Sequence, residues 1–214
     1  MKIELINLNK IFNDKVIFEN VNLKIEKNGF YILKGGNGSG KTTLFRIITG
    51  LEKSTSGILK INNEIVNDLP TQKRKITFVT QNRFLYTNLN VYENLAFALK
   101  ICKYSDKQIK EKIDKIVKLF EINGLLNKNP SQLSTGEKQK IIISKALLKD
   151  NNIILLDEPF NNLDIESKTK LQKVLIDLMS KKIVILVTHE SEEKFKNIDS
   201  KKLIIKNKKI LEID

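Results

Sequence analysis

Alternating and continuous runs of apolar residues along the chain predict a set of short strands. KIELINL and VNLKIE, in the first 34 residues, alternate apolar and polar positions as half-buried strands do, and FYIL at 30–33 is a continuous run typical of a buried strand. The same patterns predict further strands at 57–62, 75–80, 153–157 and 183–188 and a hairpin at 203–213. Because the buried runs are short and rich in β-branched residues, we expect a parallel sheet covered on both faces.

Helical spacing of apolar residues predicts helices at 41–49 and 165–179, with a longer helical block between them. After residue 150 the pattern returns to strands alternating with helices. We therefore expect one α/β core built from residues 1–81 and 150–214, with a helical lobe inserted at about 82–149.

The helical lobe is predicted to contain three helices. The first covers 91–100. Ser105 opens the second, because Gln108 three residues later completes a capping box, and the Asn-Gly pair at 123–124 is expected to end it. The third starts at Ser134.

The composition is that of an ordinary globular domain. The chain has 214 residues, 41% of them hydrophobic, and no apolar run approaches the ~20 residues that cross a bilayer. The N-terminal residues alternate and lack the apolar stretch of a signal peptide. Cys102 is the only cysteine, which excludes an intramolecular disulfide and fits a reducing compartment. We expect a cytoplasmic protein that can dock on the inner face of a membrane.

The net charge of +13, from 38 basic and 25 acidic residues, raises the possibility of a nucleic-acid ligand. However, the chain has only three arginines, whose fork geometry suits base and phosphate recognition, and its lysines are spread evenly. No specific nucleic-acid partner is expected. The charge fits a solvated surface or a face toward an anionic membrane.

A phosphate-binding loop is the most specific local motif. GGNGSGKT at 35–42 fits G-x-x-x-x-G-K-[ST] in full, with a predicted strand before it and a helix after it. Glycines let backbone N–H groups turn toward clustered phosphate charge, and the helix N-terminus adds its partial positive charge. The Lys41 ammonium would reach the β- and γ-phosphates, and the Thr42 hydroxyl would ligate Mg²⁺.

Four polar residues lie at the ends of three of the predicted buried strands, at the edge where open α/β sheets bind ligands. Asp157 would hold Mg²⁺ through water, and Glu158 beside it can orient or deprotonate an attacking water. Gln81 follows another strand. His189, the only histidine, follows a third and can donate a hydrogen bond to the γ-phosphate. Together with the phosphate loop, these residues predict a site for a nucleoside triphosphate and Mg²⁺.

Six motifs in order give the chain a clear family resemblance. GGNGSGKTT resembles Walker A, Gln81 the Q-loop, LSTGEKQK at 133–140 the signature, ILLDEP Walker B, NNLD at 161–164 the D-loop, and THE at 188–190 the H-loop. From residue 3 to about 213 the chain is similar to the nucleotide-binding subunit of an ABC transporter. The resemblance implies an α/β P-loop NTPase fold, with a RecA-like core, an N-terminal antiparallel β-subdomain and an inserted α-helical subdomain.

The resemblance also implies the site residues and the cofactors, ATP and Mg²⁺. The catalytic residues would be Glu158, His189 and Gln81, and the Mg²⁺ ligands Thr42, Gln81 and Asp157. The nucleotide-binding residues within one subunit would be Gly35, Gly36, Asn37, Gly38, Ser39, Gly40, Lys41, Thr42 and Thr43. Asp164 would also bind nucleotide, and Ser134 and Gly136 would complete the site held by a facing subunit.

An aromatic residue before Walker A stacks on adenine in this family. Phe12 matches its position, and a phenylalanine ring face suffices for stacking. Phe18 is a second, poorer match. For either ring, a place in the hydrophobic core is the alternative interpretation.

The signature segment departs from the common LSGGQ sequence at two positions. Thr135 replaces a glycine and would be strained if the position required a positive φ, while Glu137 replaces a glutamine and adds negative charge near a phosphate. Glu137 can instead turn back to the Ser134 N–H, because Ser134-x-x-Glu137 is a capping box. The hypothesis is that ATP-driven dimerisation is weakened without being lost.

The function implied is that of an ATPase that dimerises around two MgATP and powers transport through separate membrane permease subunits. The second ATPase subunit can be identical or different, and import and export both remain open. The segment 74–100 resembles that of sugar- and polyamine-type importers. The alternatives are a non-transport ABC ATPase acting on nucleic acid or ribosomes, and a small P-loop nucleotide kinase, which would carry its phosphate loop near residue 10 and have no signature.

Overall fold

Two sheets form the β-structure of the protein in the computed structural model, which describes residues 1–80, 85–188, 195 and 198–213. One is an antiparallel sheet of order β2-β1-β4-β5, made by β1 (Ile3–Phe12), β2 (Lys15–Ile25), β4 (Ser56–Ile61) and β5 (Glu64–Ile65). The other has order β10-β9-β3-β8-β7-β6, made by β3 (Gly29–Lys34), β6 (Ile76–Val79), β7 (Ile153–Asp157), β8 (Ile183–Val187), β9 (Ser200–Lys206) and β10 (Lys209–Ile213).

The central strands of the larger sheet are parallel, as the short continuous apolar runs predicted. Strand β3 pairs in parallel with β8 and β9, and β8 pairs in parallel with β7. Every residue of β7 and β8 is buried, and both strands are apolar except for Asp157, the last residue of β7. Because parallel strands end at a common edge, the loop after β3 and the residues after β7 lie on the same side of the sheet.

Five α-helices are described: α1 (Lys41–Thr49), α2 (Val91–Ile101), α3 (Asp106–Phe120), α4 (Thr135–Leu147) and α5 (Ile165–Met179). Capping boxes start α2, α3 and α4 at Asn90, Ser105 and Ser134. None of the helices in the described residues is long and apolar enough to cross a membrane.

The predicted end of the second lobe helix was wrong. Helix α3 ends at Phe120, because Glu121 takes the left-handed conformation, with φ of 53°, and its N–H donates to Val117 O. The Asn-Gly pair at 123–124 instead begins a short 3₁₀ turn, Asn123–Leu125. A non-glycine residue therefore closes the helix three residues before the glycine signal.

The chain divides into two compact units. The first comprises Met1–Phe78, Asn151–Glu158 and Leu175–Asp214, and the second comprises Val79–Asp150 and Pro159–Val174. The first unit has one continuous apolar core that joins both sheets to α1, and Phe18, Phe45 and Leu155 are fully buried in it. In the second unit, α2, α3 and α4 pack on one another.

Arg74 anchors the end of α1 inside the first unit. Its guanidinium is buried and donates to the carbonyls of Ile47 and Ile48, at 2.9 and 3.0 Å, which belong to the last turn of α1. It also donates to Leu69 O at 2.9 Å and Asn67 O at 3.1 Å. The Ile47 carbonyl also accepts from the Gly50 N–H at 3.1 Å, so Arg74 adds a second donor there. For Ile48 O, a helix-end carbonyl with no partner inside the helix, Arg74 supplies a donor to a group that would otherwise be costly to bury.

Candidate nucleotide site

The loop at 35–40 connects β3 to α1 in a conformation that depends on glycine. Gly38 has φ of 73° and Gly40, which precedes the first turn of α1, has φ of 106°. A Cβ atom on Gly40 would lie 2.7 Å from Ile17 Cγ2 and 2.8 Å from Phe18 Cζ. The β1–β2 hairpin therefore packs directly against the phosphate loop, and only glycine fits between them.

The loop presents donors that suit an anion. The Lys41 ammonium folds over it and donates to Gly35 O at 2.8 Å and Gly36 O at 3.1 Å. The Ser39 hydroxyl is buried and has no hydrogen-bond partner among the described residues. Since α1 begins at Lys41, its free backbone N–H groups face the same loop. A phosphate would supply the acceptors that this arrangement lacks.

Thr42 and Asp157 meet beside the loop. The Thr42 hydroxyl donates to Asp157 Oδ2 at 2.6 Å, and Asp157, the last residue of β7, is buried. A hydroxyl and a carboxylate are the oxygen ligands that Mg²⁺ takes in triphosphate sites. The donor set therefore fits the ion.

Glu158 has a strained backbone next to this pair. Its φ is 53°, in the left-handed region that few non-glycine residues adopt, and its N–H donates to Val187 O at 3.0 Å. The residue is 8% exposed. Such outliers cost about 1–3 kcal/mol and cluster at active sites. The turn places the Glu158 carboxylate immediately after Asp157, at the ligand-binding edge of the sheet.

Gln81 and His189 lie outside the described residues. The strands that precede them, β6 and β8, end at Val79 and Val187, and both neighbour β7 in the sheet. Their catalytic and metal-binding roles remain predictions.

The two candidate aromatic residues have different environments. Phe18 is fully buried in the core and packs on Gly40, so the core interpretation holds for it. Phe12, at the end of β1, is 40% exposed, and the ammonium of Lys10 lies 4.2 Å from the centroid of its ring. Sequence reasoning missed Lys10, although residues two apart on a strand share a face and the Lys-x-Phe spacing was visible.

The signature segment is a capped helix start. The Ser134 hydroxyl accepts from the Glu137 N–H at 3.2 Å, and Glu137 Oε2 accepts from the Ser134 N–H at 2.7 Å. The hydrogen bond from the Ser134 N–H to the carboxylate is the main cause that lowers the pKa of Glu137 below its ordinary value. Thr135 is the first helical residue and is not among the positive-φ positions. The strain considered for Thr135 is therefore absent.

Gly136 lies where α4 passes close to the D-loop. A Cβ atom there would be 2.8 Å from Asn162 O, and Asn162 itself has φ of 62°. The glycine is thus required by a close approach within this unit. Its predicted contact with a nucleotide of a facing subunit remains a prediction, as does that of Ser134.

Asp164 directly precedes the first residue of α5 and accepts three hydrogen bonds. These come from the Ser167 N–H at 2.8 Å, the Ser167 hydroxyl at 2.9 Å and the Lys140 ammonium at 3.0 Å. They hold the pKa of Asp164 well below its ordinary value, with the Ser167 N–H as the largest cause. Asp164 therefore links the signature helix to α5, an arrangement that the motif pattern did not reveal.

The fold and the phosphate loop define a P-loop nucleotide-binding protein of the ATP-binding cassette class, and comparison with known proteins agrees. Residues 18–161, more than half of the chain, match the family described as ABC transporter. The chain belongs to the ABC transporter family, whose cassettes are ATPases.

Among curated proteins, the chain is 39% identical over 193 residues to the spermidine/putrescine import ATP-binding protein PotA of Acetivibrio thermocellus. The match covers 89% of this chain and 55% of that protein, so the chain spans about half the length of the curated relative it matches.

Solved structures show the same fold. The ATP-binding cassette MJ0796, in a dimeric post-hydrolysis state with ADP and Pi, is 30% identical with a TM-score of 0.86, over 99% of this chain and 98% of that one. A second dimeric structure of MJ0796 gives a TM-score of 0.87 at the same identity and coverage. An ATP-binding subunit of an ABC transporter gives 0.89 at 24% identity, over 100% of this chain and 90% of that one, and supports the fold. The predicted fold class is thereby confirmed.

Proposed function

We propose that this chain is the ATP-hydrolysing subunit of an ABC importer and that it works as a dimer around two MgATP. The observation that carries the proposal is the hydrogen bond between the Thr42 hydroxyl and buried Asp157 beside a complete phosphate loop, with Glu158 held next to them in a left-handed turn. Two relatives support it, because one is named as an import ATP-binding protein and the other is a dimeric cassette with ADP and Pi.

In this mechanism each group has a separate task. The amides at the start of α1 and the Lys41 ammonium bind the β- and γ-phosphates, which moves Lys41 from the loop carbonyls to the nucleotide. Thr42 and Asp157 would hold Mg²⁺, which when bound offsets negative charge on the phosphate oxygens. Glu158 orients a water and accepts its proton as the bond to the γ-phosphate breaks, giving ADP and inorganic phosphate.

Glu158→Gln tests the hydrolytic role. The substitution keeps the shape of the side chain but removes the base, so we expect ATP turnover to fall about a hundredfold or more while ATP binding persists. Glu166→Gln, an exposed carboxylate on α5, is the matched control and should keep turnover near that of the parent. Undiminished turnover in Glu158→Gln would refute the role of Glu158.

The proposed membrane partner would dock on the surface of the helical unit. Four large apolar side chains on or before α2 are well exposed there: Tyr86, Tyr92, Phe97 and Ile101. Tyr86 and Phe97 form an edge-to-face pair with ring centroids 4.8 Å apart. Exposed aromatic side chains of this kind support a protein interface here, and a permease subunit is the partner that the family membership suggests.

Co-purification of membrane subunits with a tagged chain tests this partner. Phe97→Ser should lose membrane-spanning subunits identified by mass spectrometry, whereas Leu119→Ser, which changes a similarly exposed residue on α3, should retain them. Equal retention by both variants would argue against docking on α2. Co-purification of ribosomal or nucleic-acid components instead would favour the non-transport alternative.

The importer class adds a possible substrate. The segment 74–100 resembles that of sugar- and polyamine-type importers, and the curated relative is named for spermidine and putrescine import. We therefore propose a polyamine-type organic cation as the cargo of the assembled transporter. Uptake of radiolabelled spermidine by cells with and without Glu158→Gln tests this, and uptake that is unaffected by the variant would exclude it.

A further inference from the structure

Lys10 is an almost fully buried lysine with three fixed neighbours. It is 7% exposed, and its ammonium donates to Glu52 Oε1 at 2.7 Å and to Lys53 O at 2.8 Å. The same ammonium lies 4.2 Å from the centroid of the Phe12 ring. The two acceptors therefore hold the ammonium in place against the ring.

The pair lies on the hairpin whose residues Ile17 and Phe18 pack against the phosphate loop. In the register of the antiparallel β1–β2 hairpin, Lys10 lies opposite Phe18, and Phe12 lies opposite Lys15. Phe18 in turn packs against Gly40 of the loop. Helix α1 starts directly after the phosphate loop, and Glu52 lies just beyond the end of α1. The Glu52 N–H donates to Arg46 O at 3.1 Å. Lys10 thus ties the hairpin end to the helix that binds the phosphates.

We propose that Lys10 is a positioning residue for base recognition, which holds the Phe12 ring from one side so that its other face is presented to the nucleotide base. This inference rests on the proposed nucleotide-binding function. A cation over one face withdraws electron density from the ring, which favours stacking with an electron-rich purine on the opposite face. Phe12 is 40% exposed, which leaves ring surface for a base.

A purely structural role for Lys10 makes a different prediction. If Lys10 only joined the hairpin to Glu52, its loss would disturb the loop and weaken every phosphate ligand equally. If it positions Phe12, its loss weakens only ligands that carry a base. Inorganic tripolyphosphate, which has the phosphates and no base, separates the two cases.

The experiment measures dissociation constants for ATP and for tripolyphosphate, both with Mg²⁺, in the parent, Lys10→Met, Phe12→Ala and the double variant. Methionine keeps the apolar stem and removes the charge. We expect Lys10→Met to weaken ATP about fivefold, in line with a partly desolvated cation–π contact, and to leave tripolyphosphate within about twofold. In the Phe12→Ala background, Lys10→Met should change ATP affinity by less than about twofold.

Lys10→Arg should recover most of the ATP affinity that Lys10→Met loses, because arginine also places a cation on the ring. Equal weakening of ATP and tripolyphosphate, or no effect on ATP, would overturn the proposal. So would additive effects in the double variant. If the parent protein binds ATP no more tightly than tripolyphosphate, the inference about Lys10 is overturned and the proposed function stands. If the parent protein binds neither ligand, both the inference and the proposed function are overturned.

Discussion

Thr42 and Asp157 are 115 residues apart in the chain, yet a single hydrogen bond of 2.6 Å joins them. Removing the hydroxyl at nearly constant volume, in Thr42→Val, takes away a predicted metal ligand and leaves the buried Asp157 carboxylate without its donor. We expect ATP affinity in the presence of Mg²⁺ to fall about tenfold or more, and affinity with excess EDTA to change little. Titration by calorimetry under both conditions checks this.

The control for the metal site is Thr42→Ser, which keeps the hydroxyl. It should retain the Mg²⁺ dependence of the parent. Loss of affinity that is the same with Mg²⁺ and with EDTA would mean that Thr42 shapes the loop and does not serve the ion.

Gly136 gives a second prediction at the residue scale. In Gly136→Ala the new Cβ would lie 2.8 Å from Asn162 O, so α4 or the D-loop must move. Alanine improves helix propensity by about 1 kcal/mol, but the overlap costs about 1–3 kcal/mol, so we expect a net loss of stability in urea unfolding. Gly124→Ala, where nothing lies within 4 Å, is the matched control and should be neutral. A stabilised Gly136→Ala variant would contradict the close approach.

At the scale of elements, Arg74 determines how well the end of α1 is held. A lysine in its place has one compact ammonium and cannot reach four carbonyls at once, so Arg74→Lys should lower the free energy of unfolding by about 2–3 kcal/mol. Arg46→Lys, on the exposed side of α1, should change it by less than about 0.5 kcal/mol. Equal effects of the two substitutions would show that the hydrogen bonds from Arg74 to these carbonyls add nothing to the free energy of unfolding.

The link between α4 and α5 predicts a dependence on pH. Asp164 has a pKa below its ordinary value in the folded protein, so its contribution to stability is complete above the unfolded pKa of about 4 and is lost as the pH falls further. Asp164→Asn keeps an acceptor for the Ser167 N–H but cannot be ionised. Its unfolding free energy should therefore fall less steeply than that of the parent between pH 5 and pH 3.

Urea unfolding at several pH values measures this difference. The effect should be modest, because the Asp164 side chain is 56% exposed. Lys140→Met removes the cationic partner of Asp164 and should reproduce part of the flatter pH dependence of stability. Identical pH profiles for Asp164→Asn and the parent would contradict the assignment.

Elements defined by local patterns were predictable from the sequence, and contacts between distant segments were not. Helix α1, strand β7 and helix α5 have the predicted bounds, because apolar spacing and the phosphate-loop motif determine them locally. The ends that depend on a single backbone conformation, such as Glu121 closing α3, were not visible. The same holds for the site: its motif residues were predictable, but the Lys10–Phe12 contact, the Lys140–Asp164 ion pair and the left-handed turn at Glu158 arise from tertiary packing.

At the scale of the whole molecule, the signature substitutions bear on how two chains would close around ATP. Because Thr135 is helical and unstrained, glycine there would relieve no strain and would cost about 0.3–0.5 kcal/mol of helix stability. Glu137 is different, since its carboxylate carries charge at the helix N-terminus that would face a phosphate. The Ser134 N–H and, at 3.8 Å, the Lys128 ammonium offset that charge only in part.

We therefore expect Glu137→Gln alone to strengthen ATP-dependent dimerisation a few-fold, and Thr135→Gly not to strengthen it. The measurement is the dimer fraction by light scattering with MgATP, in a Glu158→Gln background so that turnover does not release the dimer. The gain should shrink at high salt, because screening weakens repulsion between partly exposed charges. Glu111→Gln, which removes an exposed charge from α3, should leave the dimer fraction unchanged. If Glu137→Gln brings no gain over Glu111→Gln, the carboxylate does not oppose closure, because its capping role already directs it away from the phosphate.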